Sequence, residues 1–585
     1  MKAISPSIEQ TGVRPSVRFA DSVKSSAAYS PPKLPGPIDL RLDANEGPLH
    51  PRVRQVLQES SQPDAVRWYP STSRVAMALA ASHGIDECRV IVTAGGDELI
   101  ERACRVMLQP GRNIVLAVPT FEIFARCATQ AGAQVRQCLW NGAFPRQAML
   151  DAVDAGTAMI VIVSPNNPTG EVVDYQIIEQ IAKLAPQALI MLDLAYVEFA
   201  DSDPTSSALQ HDNVLVLRTF SKAFGLAGVR VGYGLASARV IAALKSVGLP
   251  YSVSQQSLSV VERVLPERDI VAKDIAMRVR SERGDMTRLL ASIGCSCTKS
   301  QANFVLARFP SKQLAEWTWR ALGSMGIAVR WFPATKGLEA CLRITCPGDA
   351  DEYARLAHAL HTSVRPQAVL FDMDGVLADV SQSYRQAIIA TAKTYGITVS
   401  RADVAAIKAA GNANNDWVVT QRILQHAGID ASLEEVRARF EAIYQGTDDA
   451  PGLRSTERLI PAREVLERFA SRRPLAIVTG RPRADCERFL REHGLTDLFH
   501  VQVCMEDARP KPSPEPITRA MQLLGVKRAW MLGDTRDDID AARAASVVGI
   551  GVLPPGADEG LTQILERAGA AAVAGSLDGV LEVLP

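Results

Sequence analysis

The sequence predicts an α/β fold in two large domains, the second of which is interrupted by a helical insert. The chain has 585 residues, and a single hydrophobic core stops growing near ~300 residues. Between about residues 38 and 360, short β-branched runs alternate with helical stretches, which is typical of a mostly parallel sheet. The same alternation resumes at Ala368 and is broken once by a mainly helical stretch.

These patterns also place the domain boundaries. Residues 1–34 are rich in Ser and Pro and lack the apolar core of a secretory signal, so we expect a flexible arm, with a transit peptide as the alternative. Residues 35–362 are predicted to form the first domain. Residues 363–379 and 456–585 form the core of the second domain, and residues 380–455 form a helical cap over its site.

Composition argues against several classes of protein. Acidic and basic residues balance at 64 each, which is unfavourable for a nucleic-acid partner or a polybasic membrane contact. No apolar run reaches the length of a membrane span. The ten cysteines are scattered, and no Cys/His group has zinc-ligand spacing. We therefore expect reduced thiols in a cytoplasmic protein.

Five predicted strands of the first domain end in turn-forming or polar residues and are usually followed by helical stretches. They are Val90–Thr93, Ile114–Val118, Met159–Ser164, Leu189–Asp193 and Val214–Arg218. Ligands of parallel sheets gather at the carboxyl ends of the strands. The polar residues at and just beyond these ends are therefore candidates for a binding site.

Lys222 follows the fifth of these strands in the segment Arg-Thr-Phe-Ser-Lys-Ala-Phe-Gly. The hydroxyls of Thr219 and Ser221 and the guanidinium of Arg230 can face a phosphate, which arginine clamps with two parallel hydrogen bonds. A lone lysine here would be a solvated surface residue. These neighbours instead favour a lysine that forms a Schiff base.

Three further polar residues follow the third and fourth strands. Asp193 can pair with a protonated ring nitrogen, although by itself it is equally a helix N-cap. Tyr196 can reach the ring oxygen of a cofactor. The amide of Asn167, in Ser-Pro-Asn-Asn-Pro-Thr-Gly, can also reach that oxygen, although by itself this segment is an ordinary turn.

A phosphate cradle and an aromatic face complete the set. Gly96 and Asp97 stand at a helix start, where backbone N–H groups face anions. Phe121 can stack on a pyridine ring, although a single aromatic residue is more often part of the core. Pyridoxal-phosphate (PLP) chemistry needs a Schiff-base lysine, a carboxylate at the ring nitrogen, a phosphate cradle, an aromatic face and a donor to the ring oxygen. The sequence supplies each of them.

The second domain opens with Phe-Asp-Met-Asp-Gly, which puts Asp372 and Asp374 at a strand end. Asp372 can attack a phosphoryl group, and Asp374 can protonate the leaving oxygen and then activate water. Carboxylates this close need a cation, and Mg²⁺ is suited because it binds carboxylates, water and phosphate oxygen. Asp534 and Asp538, in Gly-Asp-Thr-Arg-Asp-Asp, complete a predicted metal site of four carboxylates.

Thr479 and Lys511 are the remaining candidates of the second site. Thr479 follows a predicted strand and can hydrogen-bond a phosphate. Lys511, in Arg-Pro-Lys-Pro, can neutralise the nucleophile and the transferring group. Arg481 and Arg483 either lie near the phosphate or are solvated.

Residues 38–360 resemble the fold-type I aminotransferases and, within them, the histidinol-phosphate aminotransferase family. That family usually has Asn where Gly47 stands and often Tyr where Phe121 stands. The segments that carry the resemblance match in order and spacing: Leu42–Pro48, Trp68–Pro70, Gly95–Glu98, Pro119–Phe121, Ser164–Gly170, Asp193–Tyr196, Thr219–Arg230, Pro250–Val253, Ala302–Phe304 and Leu342–Thr345.

This resemblance implies roles for four further residues. Asn45 belongs to a segment that closes over the substrate, Arg343 binds an acidic group of the substrate, and Arg330 adds a positive charge for a phosphate. Tyr69 contacts the cofactor phosphate of the neighbouring subunit in a homodimer with shared active sites. The implied reaction exchanges an amino group in two stages, between glutamate/2-oxoglutarate and a keto acceptor.

Residues 367–585 resemble the haloacid dehalogenase superfamily, which implies a Rossmann-like core with a phosphatase site. The helical insert matches the superfamily's cap in position. Within it, Asn412, Asn414 and Asn415 are either substrate contacts or part of a capped helix start. The superfamily's known histidinol phosphatases generally lack this cap and carry a Cys/His zinc loop, which this sequence does not have.

Together the two resemblances imply a bifunctional enzyme. It would aminate a phosphorylated keto substrate and hydrolyse a phosphomonoester through an aspartyl-phosphate, with histidinol phosphate converted to histidinol as the specific expectation. Three alternatives stay open. The phosphatase has an unrelated task, of the phosphoglycolate type or in specialised metabolism; the first half is a PLP decarboxylase of the phosphothreonine type; or one half is a scaffold or regulatory module.

Overall fold

A computed structural model of the chain describes residues 32–59, 67–409, 415–447 and 450–584. Residues 1–31, most of the predicted N-terminal arm, lie outside these ranges. The chain divides into two compact units. Within the described residues, the first unit contains Leu42–Phe309 and Cys341–Tyr353, and the second contains Pro32–Arg41, Pro310–Ala340 and Ala354–Pro585.

The first unit is built on a sheet of seven strands. The strands up to residue 345 are β1 (Leu40–Leu42), β2 (Val90–Thr93), β3 (Asn113–Val118), β4 (Gln134–Leu139), β5 (Thr157–Val163), β6 (Leu189–Asp193), β7 (Val214–Thr219), β8 (Gly232–Leu235), β9 (Ser296–Cys297), β10 (Phe304–Arg308), β11 (Ile327–Trp331) and β12 (Cys341–Thr345). The sheet has the order β2-β8-β7-β6-β5-β3-β4. Strands β3 to β7 are parallel, and β8 is antiparallel to β2 and β7. The predicted mostly parallel sheet is confirmed.

Helices cover this sheet because each presents one apolar face. In the helix Tyr175–Leu184, the side chain of Asp174 caps the Gln176 N–H, and Ile178 and Ile181 are buried at helical spacing. The helices are α1 (Pro51–Glu59), α2 (Ser73–His83), α3 (Gly95–Met107), α4 (Ile123–Gln130), α5 (Arg146–Asp151), α6 (Tyr175–Leu184), α7 (Thr205–Ala208), α8 (Ala238–Ser246), α9 (Gln255–Val264) and α10 (Arg268–Ser292).

The central strands of the sheet lie in the core of the first unit. Every residue of β5 and β6 is buried, as expected of parallel strands with helices on both faces. A smaller antiparallel group, in which β10 pairs with β9 and β12, sets Arg343 opposite Leu306.

The second unit contains a parallel sheet of six strands. Its strands after residue 367 are β13 (Ala368–Phe371), β14 (Ala378–Asp379), β15 (Gly446–Thr447), β16 (Ala450–Pro451), β17 (Arg458–Leu459), β18 (Leu475–Val478), β19 (Val501–Val503), β20 (Ala529–Gly533), β21 (Val548–Val552) and β22 (Val573–Ala574). The sheet has the order β19-β18-β13-β20-β21-β22, and its neighbouring strands are parallel.

Among the described residues, the helices Tyr384–Thr394 (α13), Arg401–Ala409 (α14), Asp416–His426 (α15) and Leu433–Gln445 (α16) are inserted between β14 and β17. These two strands pair with each other, so the chain leaves the core and returns to it side by side. The later helices of the chain are α11 (Lys312–Ser324), α12 (Ala350–Val364), α13 (Tyr384–Thr394), α14 (Arg401–Ala409), α15 (Asp416–His426), α16 (Leu433–Gln445), α17 (Arg463–Ala470), α18 (Arg483–Glu492), α19 (Glu515–Leu524), α20 (Arg536–Ala544), α21 (Glu559–Ala568) and α22 (Leu577–Val583). None of the helices in the described part of the chain has both the length and the apolar character of a membrane span.

Two tryptophans tie residues 310–340 to the rest of the second unit. The ring centres of Trp317 and Trp530 lie 4.7 Å apart. The indole N–H of Trp317 donates to the Ser363 carbonyl at 2.8 Å, and that of Trp530 donates to the Thr362 carbonyl at 2.9 Å. The domain boundary at residue 362 stays a prediction, because contacts group part of the preceding chain with this unit.

Candidate active sites

Three neighbouring parallel strands assemble the first candidate site. Val163 at the end of β5 lies opposite Asp193 at the end of β6, and Asp193 lies opposite Leu217 of β7. The turn with Asn167, the carboxylate of Asp193 and the loop with Lys222 therefore follow the same edge of the sheet. This is the edge at which parallel sheets bind ligands.

The amine of Lys222 is half-buried among polar, charged and aromatic groups. Its Nζ donates to the Ala44 carbonyl at 2.9 Å and lies 5.7 Å from the centre of the Tyr196 ring. Burial, and then the positive charge of Arg343, lowers its pKa to about 8. A substantial fraction of the amine is neutral near pH 8, as a nucleophile or a base requires.

The carboxylate of Asp193 is buried, with 5% of the residue exposed. Its Oδ1 accepts a hydrogen bond from the Ala195 N–H at 3.0 Å. The helical turn that follows begins at Val197, so Asp193 does not cap it. Burial raises the pKa of Asp193 to about 6. A buried carboxylate of this kind is stabilised by a cation, so it fits the protonated ring nitrogen of PLP.

Hydroxyls, a guanidinium and a helix start meet on the side predicted for the phosphate. Thr219 Oγ1 donates to Ser221 Oγ at 2.9 Å, and both residues are buried. Arg230 lies 3.3 Å from the Asp97 carboxylate. A Cβ on Gly95, whose φ is +81°, would lie 2.6 Å from the Arg230 guanidinium, so this close approach needs glycine. With Gly96 in the first turn of α3, which leaves its N–H without a helical acceptor, these donors fit a phosphate.

Arg343 and Asn167, predicted to hold substrate and cofactor respectively, contact each other. Arg343 Nη1 donates to Asn167 Oδ1 at 2.5 Å, and its Nη2 donates to the Asp43 carbonyl at 2.6 Å. Beside them, Asn45 Nδ2 donates to the Tyr196 hydroxyl at 2.9 Å. These bonds form two pairs, Arg343 with Asn167 and Asn45 with Tyr196, and the cofactor and substrate roles of the four residues stay predictions.

Three other predicted residues have surroundings that leave their roles as predictions. Phe121 is half-buried and meets the Phe124 ring edge-on, with ring centres 6.4 Å apart. Tyr69 is 80% exposed and stacks on Tyr251 at 4.4 Å. Arg330 belongs to the second unit, where its guanidinium lies 5.6 Å from the centre of the Phe332 ring.

Two residues to which the sequence gave no role support the loop of Asn45. Asn303, in the segment Ala-Asn-Phe, donates from its side chain to the Asn45 carbonyl at 3.1 Å. A Cβ on Gly47 would lie 1.9 Å from the carbonyl oxygen of Lys222. Glycine thus lets this loop touch the lysine loop through the backbone, a contact that a side chain at this position would disturb.

The second candidate site lies at the carboxyl ends of β13, β18 and β20. Lys511 Nζ donates to Asp372 Oδ1 at 2.8 Å, to the Val478 carbonyl at 3.1 Å, and to Asp538. Burial raises the pKa of Asp372 to about 7, against the opposing charge of Lys511. The charges of Asp372 and Asp538 outweigh burial and raise the pKa of Lys511. Lys511 is therefore a fixed cation beside the predicted nucleophile.

Three buried carboxylates form a candidate metal centre. Asp372, Asp534 and Asp538 each offer an oxygen within 4.8 Å of the other two. Lys511, together with Arg385, which lies 3.7 Å from Asp534 Oδ2, still leaves three buried carboxylates short of positive charge, so this donor set fits a hard cation such as Mg²⁺. The fourth predicted ligand is not in the group. Asp374 Oδ1 accepts from Arg481 Nε at 2.6 Å, and the role of Asp374 as a fourth metal ligand stays a prediction.

The residues after β18 have distinct environments. Thr479 is buried, and its hydroxyl accepts the Arg481 backbone N–H at 3.2 Å. Arg481 is buried and pairs with Asp374 and Glu457, so it is not a solvated residue, and its place near the phosphate stays a prediction. The Arg483 side chain is 41% exposed and pairs with Asp507 at 2.5 Å.

Of the three asparagines predicted to be substrate contacts or part of a capped helix start, the structure describes Asn415. Asn412 and Asn414 lie outside the described residues. Asn415 Oδ1 accepts the backbone N–H groups of Trp417 at 3.0 Å and Val418 at 3.2 Å. It is therefore the N-cap of α15, the alternative weighed from the sequence.

Family comparisons agree with this division into two sites. The family model for class I and II aminotransferases matches residues 37–360. This chain belongs to that aminotransferase family. The family model for haloacid dehalogenase-like hydrolases matches residues 369–552, so a hydrolase domain of that family follows the aminotransferase domain.

Two curated relatives match this chain over different lengths. The histidinol-phosphate aminotransferase of Jannaschia sp. (strain CCS1) is 35% identical over 336 residues, which cover 56% of this chain and 92% of the relative. The imidazoleglycerol-phosphate dehydratase of Phytophthora nicotianae is 52% identical over 197 residues, which cover 32% of this chain and 44% of the relative. The chain thus spans less than half of the second relative's length.

Solved structures agree on the aminotransferase fold. Histidinol-phosphate aminotransferase from Sinorhizobium meliloti in complex with pyridoxal-5'-phosphate has a TM-score of 0.55 at 24% identity and covers 59% of this chain and 97% of its own. The enzyme from Clostridium acetobutylicum has a TM-score of 0.50 at 20% identity and covers 55% and 98%. At these identities the likeness shows the fold alone.

Proposed function

We propose that this chain is a bifunctional enzyme that aminates a phosphorylated keto compound and hydrolyses a phosphomonoester. The carrying observation is that two complete residue sets occupy one chain: Lys222 and Asp193 at the first site, and Asp372, Lys511 and Asp534 at the second. The name of a relative supports histidinol phosphate as the amino compound; its keto counterpart, imidazole acetol phosphate, would then be the acceptor, with glutamate as the proposed amino donor.

At the first site the chain's own residues bind the cofactor and move a proton. PLP, when bound, supplies an electron sink for the electrons of a broken bond at the substrate α-carbon. Asp193 would pair with its ring nitrogen, and Thr219, Ser221 and Arg230 would hold its phosphate. Lys222 Nζ, partly neutral because its pKa is about 8, would accept the proton of the α-carbon and return it.

Arg343 would bind the acidic group of the substrate. Arg343 is 7% exposed and now bonds Asn167, so an entering acidic group would exchange with that amide. Arginine suits this task because its planar fork matches carboxylate and phosphate oxygens. Arg330 would add charge for a phosphate, and Tyr69 would serve the site of a second subunit in a cytoplasmic homodimer.

At the second site the residues support phosphoryl transfer to the protein. Mg²⁺, bound by Asp372, Asp534 and Asp538, would neutralise charge and orient the phosphoryl group. Asp372 would attack phosphorus and form an aspartyl-phosphate, while Asp374 donates a proton to the leaving oxygen and then takes one from water. Lys511 and the hydroxyl of Thr479 would stabilise the transferring group.

A second candidate keeps the aminotransferase and gives the phosphatase an unrelated phosphomonoester, of the phosphoglycolate type. The observation that favours it is the four-helix insert, because the histidinol phosphatases of this superfamily generally lack such a cap. In this second candidate the insert selects a phosphomonoester other than histidinol phosphate, and the two sites of the chain act on unrelated substrates.

One reaction separates these candidates. Purified protein is incubated with PLP, Mg²⁺, glutamate and imidazole acetol phosphate, and products are followed by mass spectrometry. We expect histidinol and free phosphate. Asp372→Asn, as the matched control, should stop at histidinol phosphate because the nucleophile is lost. Wild-type protein that also stops there supports the unrelated phosphatase, and absence of amination would contradict the proposed acceptor.

A further inference from the structure

Arg481 is a buried arginine beside the predicted acid–base residue of the phosphatase site. It follows Thr479 and Gly480 at the end of β18 and is 2% exposed. Its Nε donates to Asp374 Oδ1 at 2.6 Å, and its Nη1 donates to Glu457 Oε2 at 2.8 Å. The third nitrogen, Nη2, is buried without a hydrogen-bond partner among the described residues. Two ion pairs therefore set the direction of this side chain.

Aromatic rings hold the guanidinium further. Its central carbon lies 4.9 Å from the ring centre of Tyr384 and 5.5 Å from that of Phe489. Such cation–π contacts strengthen when water is excluded. A buried charge must be paired to be tolerated, so Arg481 is fixed both by its carboxylates and by these rings.

Glu457 connects this arginine to the helical insert. Its Oε1 accepts from the Ser383 hydroxyl and from the Tyr444 hydroxyl, both at 2.9 Å. Ser383 precedes α13 and Tyr444 lies in α16, at opposite ends of the insert. Glu457 itself directly precedes β17, the strand by which the chain returns to the core. A continuous polar path therefore runs from both ends of the insert to Asp374.

We propose that Arg481, held by Glu457, is the positioning residue for Asp374, and that Ser383 and Tyr444 make this position depend on the helical insert. The inference rests on the proposed phosphatase. The side chain of Asp374 is 31% exposed whereas that of Arg481 is 1% exposed. The buried guanidinium of Arg481 thus restrains one carboxyl oxygen of Asp374, while the rest of the carboxyl group stays accessible to a substrate.

The chemistry gives this role a specific signature. Phosphoryl transfer forms the bond from Asp372 to phosphorus and breaks the bond from phosphorus to the ester oxygen, which takes the proton of Asp374. An alkoxide is a poor leaving group and needs that proton, whereas p-nitrophenolate leaves without it. A misplaced Asp374 therefore slows the first step for alkyl esters and spares it for the aryl ester.

The test compares kcat/KM for histidinol phosphate and glycerol 2-phosphate with kcat/KM for p-nitrophenyl phosphate, because kcat/KM reports the steps up to phosphoryl transfer. Arg481→Gln is expected to lower the alkyl values by about 10²-fold and the aryl value by no more than about threefold. Arg481→Lys keeps the charge but not the two-carboxylate fork, so we expect an intermediate loss. Glu457→Gln and Tyr444→Phe should shift the alkyl/aryl ratio in the same direction and by less.

Arg483→Gln is the matched control, because Arg483 lies two residues away and pairs with Asp507 outside the site. Aminotransferase activity and the thermal transition of each variant report folding. Equal losses on alkyl and aryl esters, or an Arg481→Gln variant that behaves like Arg483→Gln, would overturn the positioning role. A wild-type protein that hydrolyses none of the three esters would instead refute the proposed phosphatase itself.

Discussion

Lys222 and Asp193 carry opposite pKa shifts that have the same main cause. Burial lowers the pKa of the lysine to about 8 and raises that of the carboxylate to about 6. Each shift favours the neutral form, because burial removes water that would stabilise the charge. A cationic ring nitrogen would relieve the penalty at Asp193, and covalent attachment would consume the neutral amine of Lys222. Burial thus prepares both groups for one cofactor.

The shift of Lys222 predicts how the apoprotein captures PLP. Only the neutral amine attacks the aldehyde, so the rate of covalent capture should rise about tenfold per pH unit below pH ~8 and level off above it. Stopped-flow absorbance between pH 6 and pH 10 measures this profile, with Lys222→Ala as the control that captures no PLP covalently. A rate that still climbs toward the ordinary lysine pKa of 10.5 would contradict the lowered pKa.

At the scale of elements, the loop after β13 depends on a glycine. Gly375 has a φ of +78°, and a Cβ there would lie 2.1 Å from Asp534 Oδ2. Any side chain would therefore strain the backbone and push a candidate metal ligand away at the same time. Gly396, which ends α13, has a φ of +82° but open space around its Cβ position.

These two glycines provide a matched pair of variants. Gly375→Ala should lower phosphatase activity by about 10²-fold, the size of effect expected when a catalytic group moves by about 1 Å. Gly396→Ala carries the same backbone strain, costing roughly 1 kcal/mol, without a clash in the site. Phosphate release is measured for both, with aminotransferase activity as the internal reference. Equal losses would mean that strain, and not displacement of Asp534, causes the effect.

The elements also show what the sequence could predict. Apolar runs that end in polar residues located β5, β6, β7, β13 and β20, and thereby Asp193, Lys222, Asp372 and Asp534, because both the strand and its terminal residue are local signals. The pairing of Asp374 with Arg481 joins residues 107 positions apart. Sequence spacing contains no signal for such a contact, which arises only when β13 and β18 become neighbours.

At the scale of the whole molecule, the exposure of Tyr69 bears on assembly. Tyr69 is 80% exposed and its ring stacks on exposed Tyr251. Large exposed aromatic pairs are typical of surfaces that meet a partner. This surrounding is compatible with the proposed role of Tyr69 at the cofactor phosphate of a second subunit.

Mixed dimers test that role. Lys222→Ala alone should be inactive and Tyr69→Ala alone strongly impaired in amination. After the two variants are unfolded together and refolded, a mixed dimer would contain one intact site, with Lys222 from one subunit and Tyr69 from the other. We expect amination to reappear in the mixture. Activity no higher than the average of the separate variants would show that Tyr69 does not act across subunits.

The contact at Gly47 couples two loops of the first unit. A side chain at position 47 would overlap the carbonyl oxygen of Lys222, so the loop with the lysine would have to move to admit one. Gly225 constrains that loop in return, because its own Cβ position lies 2.4 Å from the Pro48 carbonyl oxygen. A substitution in one loop is therefore accommodated only by a compensating movement of the other, so changes at the two positions should have non-additive effects.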